Sequence, residues 1–236
     1  MAGTIKYGQE WQTASRQSTG IAPSAAEHKE AIVQVYSARA FNWRGVFGVH
    51  TWLATKEKGA LEYKVHQVVG WNLYRDLSVV VSEKDLPDRS WYGQTPEIIA
   101  DVRGAEAEQL IPRVQRAVDS YPHAFEYRVW PGPNSNTFVA FVARQVPELN
   151  LQLPSTAIGK DYLPNEKFFD RTPSGTGYQI SLFGLAGVSI AKTEGLELNL
   201  LGLNFGVDFN QLALILPGID RVGFNLSPNT RNKIVN

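Results

Sequence analysis

Trp130-Pro-Gly-Pro-Asn-Ser-Asn-Thr-Phe-Val-Ala-Phe-Val-Ala-Arg144 is the stretch on which the reading of this chain turns. Two prolines and a glycine hold its first four residues in turn or extended geometry. Asn134, Ser135, Asn136 and Thr137 are residue types that cap helix starts. From Thr137 onward the run is apolar and compatible with a helix. A rigid turn therefore delivers the hydroxyl of Ser135 to a helix N-terminus, where backbone N–H groups and the helix dipole favour negative charge. Two readings fit that placement. Ser135 is a nucleophile, or Ser135 or Asn134 simply caps the helix.

The bulk composition narrows the classes. The chain has 236 residues, 43% of them hydrophobic, which suffices for a core. Lys plus Arg equals Asp plus Glu at 23 each, so no global field draws nucleic acid, and no nucleic-acid partner is expected. There is no cysteine, which excludes disulfides, thiolate metal sites and a cysteine nucleophile. No apolar run approaches the roughly 20 residues that cross a bilayer. No metal-ligand spacing, phosphate-binding glycine loop or G-x-S-x-G elbow is present, so neither metal nor cofactor is expected.

Outward from the organising stretch, residues 1–30 form a polar arm around Trp11 and residues 31–147 an α+β core. Residues 148–236 hold an irregular loop and a glycine-rich β extension, packed on the core as one domain. Ala31–Ala38, Val46–Thr55, Leu61–Trp71 and Leu77–Ser82 are rich in β-branched and aromatic residues and are read as strands. Residues 84–96 are turn-rich. Gly104–Tyr121 has a helical apolar period, interrupted by Pro112, which predicts a kink or two abutting helices. Leu182-Phe-Gly-Leu-Ala-Gly-Val188 is echoed by Leu200-Leu-Gly-Leu-Asn-Phe-Gly-Val207, predicting two similar strand-and-turn units rather than helix.

Four histidines are available: His28, His50, His66 and His123. His28 in the arm and His123 in a turn are read as surface residues. A three-residue loop at Glu57–Gly59 sets His50 opposite His66, with Trp52 and Lys64 on the same face. A two-residue loop at Lys58-Gly59 puts the two histidines on opposite faces. With the first loop, Ser135, His50 and His66 form a nucleophile, base and orienter, and helix-start N–H groups hold an oxyanion. Asn134, Asn136, Trp52 and Trp130 make up the neighbourhood. The competing reading packs His50 against Trp52 and leaves His66 as an ordinary strand residue.

Taken together, Gly45–Ala54, Arg103–Ala107, Pro131–Val139, Ala157–Tyr162 and Ser181–Gly187 closely resemble the bacterial DUF3750 family along nearly the whole chain. Members often carry a hydrophobic segment before the equivalent of residue 11. That implies an envelope protein, with membrane proximity through such a segment or through the apolar C-terminal region. Residues 46–144 also resemble, more distantly, the circularly permuted papain-like fold of lecithin–retinol acyltransferase and NlpC-type proteins. There a histidine strand, a second polar strand and a cysteine at a helix start follow in order. Ser135 stands in the cysteine place after Asn134, and a serine needs a better-placed base than a cysteine.

The expectation is therefore an α+β fold: an antiparallel sheet packed by helices, a permuted papain-like core, and a glycine-rich β extension. The expected function is a cell-envelope hydrolase or acyltransferase acting on a cell-wall or lipid-derived amide or ester. The alternative is a non-catalytic envelope binding or structural protein on the same fold.

Overall fold

The computed structural model describes residues 12–165 and 167–223. Sequence expectations for residues 1–11 and 224–236, Trp11 among them, lie outside the described residues.

Strands β1 (Ile32–Arg39), β2 (Val49–Lys56), β3 (Lys64–Val68), β4 (Val80–Lys84) and β5 (Glu97–Arg103) form an antiparallel sheet ordered β4-β3-β2-β1-β5. Helices α1 (Gly104–Asp119) and α2 (Ser135–Gln145) cover one face. Val33, Val35, Leu53 and Val68 meet Leu110, Val114 and the α2 side chains there. The opposite face holds a smaller cluster of Ile32, Tyr36, Trp52, Ala54, Tyr63 and Val65. Every residue of β1 is buried, as a central strand covered on both faces requires. β5 goes unread in the sequence because Glu97–Arg103 mixes charges with its apolar residues. Pro112 sits inside a single α1, so of the two expectations, a kink or two abutting helices, the second is corrected to one helix.

The β2–β3 register also differs from expectation. Leu53 pairs with His66 and Ala54 with Val65. The turn at Glu57–Ala60 forms as expected, with Gly59 at φ 75°, but β3 does not start from it. Residues 57–63 bond to the arm instead: Gly59 N–H donates to Lys29 O at 2.8 Å and Tyr63 Oη to Pro23 O at 2.9 Å. That detour shifts the pairing by an odd number of residues and reverses the relative facing of the two histidines.

After an irregular loop, seven strands follow as a meander: β6 (Phe169–Arg171), β7 (Gly177–Leu182), β8 (Ala186–Ala191), β9 (Gly195–Leu200), β10 (Leu203–Asp208), β11 (Ala213–Leu216) and β12 (Asp220–Gly223). The strand-and-turn reading of the repeat holds. Both copies place a turn at the same point: Phe183-Gly184 and Leu201-Gly202 each have two successive positive φ values. Such pairs suit the twist of tight hairpins.

The meander packs a polar face on the core. Arg144, at the end of α2, donates to Gln179 Oε1 at 2.8 Å and to Lys160 O at 3.0 Å. Lys160 pairs with Asp161 and Glu197, and Asp161 accepts from Asn199 at 2.8 Å. Arg221 links Glu197, Asp208 and Asp220. Burial alone would weaken the hold of Lys160 on its proton, but Asp161 and Glu197 outweigh it and keep the amine charged.

Candidate functional site

The organising stretch closes the core through hydrogen bonds. Asn134 is the cap: its Oδ1 accepts from Asn136 N at 2.9 Å and Thr137 N at 3.2 Å. Thr137 Oγ1 accepts from Asn134 N at 3.1 Å, completing a capping box. The remaining polar atoms reach across the chain. Asn136 Nδ2 donates to Val49 O on β2 and to Ile158 O, while Thr137 Oγ1 donates to Gly159 O at 2.8 Å. Gly159 has φ +99°, and a Cβ there would lie 2.4 Å from the Asn134 amide. Only glycine allows the backbone so close.

Ser135 is the first helical residue and is 4% exposed. The β2 side chain facing it is Thr51, whose Oγ1 donates to Ser135 O at 3.4 Å and to Asn136 Oδ1 at 2.9 Å. His50, one residue earlier, points to the opposite face of the sheet. There it stacks on Trp91, with ring centroids 3.5 Å apart, and beside Trp52. His66 lies on the α2 face but is a satisfied core histidine. Its Nε2 meets Thr55 Oγ1 at 3.1 Å and its Nδ1 meets Ser82 Oγ at 2.8 Å. Trp130 ties its Nε1 to Leu201 O on the meander at 2.8 Å.

The expected constellation of Ser135, His50 and His66 therefore does not converge. Two of the helix-start donors, the N–H groups of Asn136 and Thr137, are already taken by the Asn134 side chain. Burial pushes His50 down to about 3, with a hydrogen bond to Gln67 opposing only partly. Burial, helped by Lys64, pushes His66 down to about 4. A base so weak has little drive to take a serine proton near neutrality. In Ser135→Cys, the new thiol, unique in a chain without cysteine, is expected to alkylate no faster than an ordinary exposed cysteine. Adding His50→Ala should leave that rate unchanged. A thiol that alkylates at least about tenfold faster, and slows on loss of His50, would restore the activated site.

The face that holds His50 carries a different feature. Tyr36, Trp52, His50, Trp91 and Trp71 follow one another as a ladder of near-parallel rings, with successive centroids 3.5–6.1 Å apart. Tyr36 is fully buried and Trp71 is 45% exposed. Around the open end lies a cleft of about 530 Å³ whose walls include Trp52, Trp71, Trp91 and Tyr92. Gln67, Asn72, Glu83, Asp85 and Arg89 add polar groups. Arg89 is held by Asp85. Arg16, from the arm, lies 4.5 Å over the Tyr92 ring and completes one wall. The arm is fixed by Asp88, whose carboxylate accepts from Ser18 Oγ at 2.8 Å and from Ile21 N at 2.9 Å.

Residues 30–162 match the family model described as a protein of unknown function, DUF3750. The chain belongs to the DUF3750 family. The matched region spans the five-stranded sheet, both helices and the Ile158–Gly159 loop; the meander lies beyond it. Comparison with curated proteins and with solved structures gives no match. The α+β class stands on the two antiparallel sheets and the helices.

Sequence reasoning missed most of the cleft. Trp71 is read there as a strand end, and residues 84–96 only as turns. The available signal is the pair Trp91-Tyr92 inside a turn, since large aromatics on loops between strands mark binding surfaces more often than core.

Proposed function

We propose that this DUF3750 protein is a non-catalytic binding protein and that the aromatic cleft is its site. The observation that carries this reading is the ring ladder, which ends in an exposed Trp71 above a cleft with polar walls. The volume falls within the usual range of small-ligand sites, about 300–1,000 Å³. An exposed indole face offers a flat apolar platform, while Gln67, Asn72 and Glu83 offer donors and acceptors at its border. That combination suits a saccharide, which has apolar C–H faces and a hydroxyl periphery. A glycan of the cell wall fits an envelope location, which rests on the family resemblance. The hydrolase reading needs a base beside Ser135, whereas His50 stacks on Trp91 across the sheet and His66 is bonded to Thr55 and Ser82.

The test is titration of the full chain with N-acetylglucosamine oligomers and cell-wall glycan fragments, followed by tryptophan fluorescence and calorimetry. Saturable binding is expected, weakened about 10- to 100-fold in Trp71→Ala. Absence of binding, or binding that Trp71→Ala leaves unchanged, would overturn the reading.

A further inference from the structure

The meander is built with its polarity reversed. Residues paired directly across antiparallel strands share a face. One row across the sheet runs Phe169, Ile180, Val188, Leu198 and Phe205. A second runs from Arg171 through Tyr178, Ile190, Leu196 and Val207 to Leu214 and Val222. These rows face outward: Ile190 is 64% exposed and Leu198 51%. The face turned to the core carries the polar set instead, with Gln179, Ser189, Glu197, Asn199, Asn204 and Asp208 all buried. The outward face thus consists of aliphatic and aromatic side chains, and Arg171 on the edge strand is the one charged residue in its two rows.

Seven strands about 4.8 Å apart, four of them six residues long and three of three or four, cover a footprint of about 550 Å² in projection, and more once side-chain relief is added. A monomer rarely exposes an apolar patch beyond about 300–600 Å². A stable protein interface buries about 800 Å² per partner. With that relief the patch approaches that size, and its centre is apolar with the one charge of its two rows at the rim, which is the anatomy of an interface. We infer that the outer face of the meander is the contact surface for a second copy of this chain, packed sheet on sheet. The same face on both copies is complementary to itself about a two-fold axis. Two such sheets would interleave their side chains about 10 Å apart. A bilayer is the less favoured occupant. Stable attachment to anionic lipid draws on a cationic border, whereas the two rows hold a single arginine and the whole chain is charge-balanced at 23 and 23.

The test is sedimentation of the full chain at micromolar concentration, alone and with vesicles of mixed phosphatidylcholine and phosphatidylglycerol. A dimer is expected, and Leu198→Glu should weaken it at least about 100-fold without altering circular dichroism, while its thermal midpoint loses the concentration dependence that a dimer shows. Should Leu198→Glu fail to fold, Leu214→Cys carrying a nitroxide gives a second reading, specific because the chain has no cysteine. A resolved distance between labels on two copies supports the interface. A monomeric wild type, a monomer that binds vesicles, a dimer indifferent to Leu198→Glu, or labels without dipolar coupling would each overturn it.

Discussion

Lys160→Ala is expected to lower the unfolding free energy by about 3–5 kcal/mol, as removal of one partner from a buried ion pair generally does. Lys160 is 3% exposed and touches both Asp161 and Glu197. Its loss leaves two carboxylates facing each other at the join between core and meander. Asn199 and Arg221 still reach them, but neither replaces a cation between the two. Denaturant unfolding reads the change. The coupled variant Lys160→Met with Glu197→Met should cost less than the two single changes added together, because Glu197 is not left unpaired, while Asp161 loses its cation but still accepts from Asn199. A Lys160→Ala protein within about 1 kcal/mol of wild type would mean that water already solvates the cluster.

The second large effect is acid sensitivity. His50 and His66 are both buried and held neutral, at about 3 and about 4, below the free imidazole value of about 6.5. The unfolded chain therefore binds protons that the folded chain refuses. Stability is complete above about pH 6.5 and falls as pH drops toward the folded values. Each histidine contributes up to about 1.4 kcal/mol per pH unit in that window. Between pH 7 and pH 5 the pair should remove on the order of 3 kcal/mol, a large share of a typical domain's stability. His50→Phe keeps a ring between Trp52 and Trp91 and should remove about half of the slope. Equal pH slopes in wild type and in a variant lacking both histidines would remove this cause.

How much of this could be read beforehand depended on how local the deciding contact is. The strands from Ile32 to Lys84 follow from runs of β-branched and aromatic residues, and the α2 start follows from four cap-forming residues after two prolines. The β2–β3 register did not follow, because it is set by Gly59 and Tyr63 bonding an arm some thirty residues earlier. The meander followed from alternating leucine and glycine, but alternation does not say which face points inward. That choice is made by Arg144 and Lys160, which arrive from the core and require carboxylates and amides opposite them. Trp71 and Trp91 form one site only after the sheet and its turns bring together residues twenty positions apart.

The bonding around the start of α2 also fixes how short a self-sufficient piece of this chain can be. Asn136 joins Val49, 87 residues back, to Ile158, 22 residues ahead. During synthesis the helix can form before residue 158 has emerged, yet its first turn would then hold amides without their carbonyl acceptors. A fragment cut after α2 should behave as an incomplete body that stays loose and is open to proteolysis. One cut just past Gly159 has the acceptors of that first turn in place, though Arg144 at the far end of the helix still lacks its own, and the family match ends three residues further on, at residue 162.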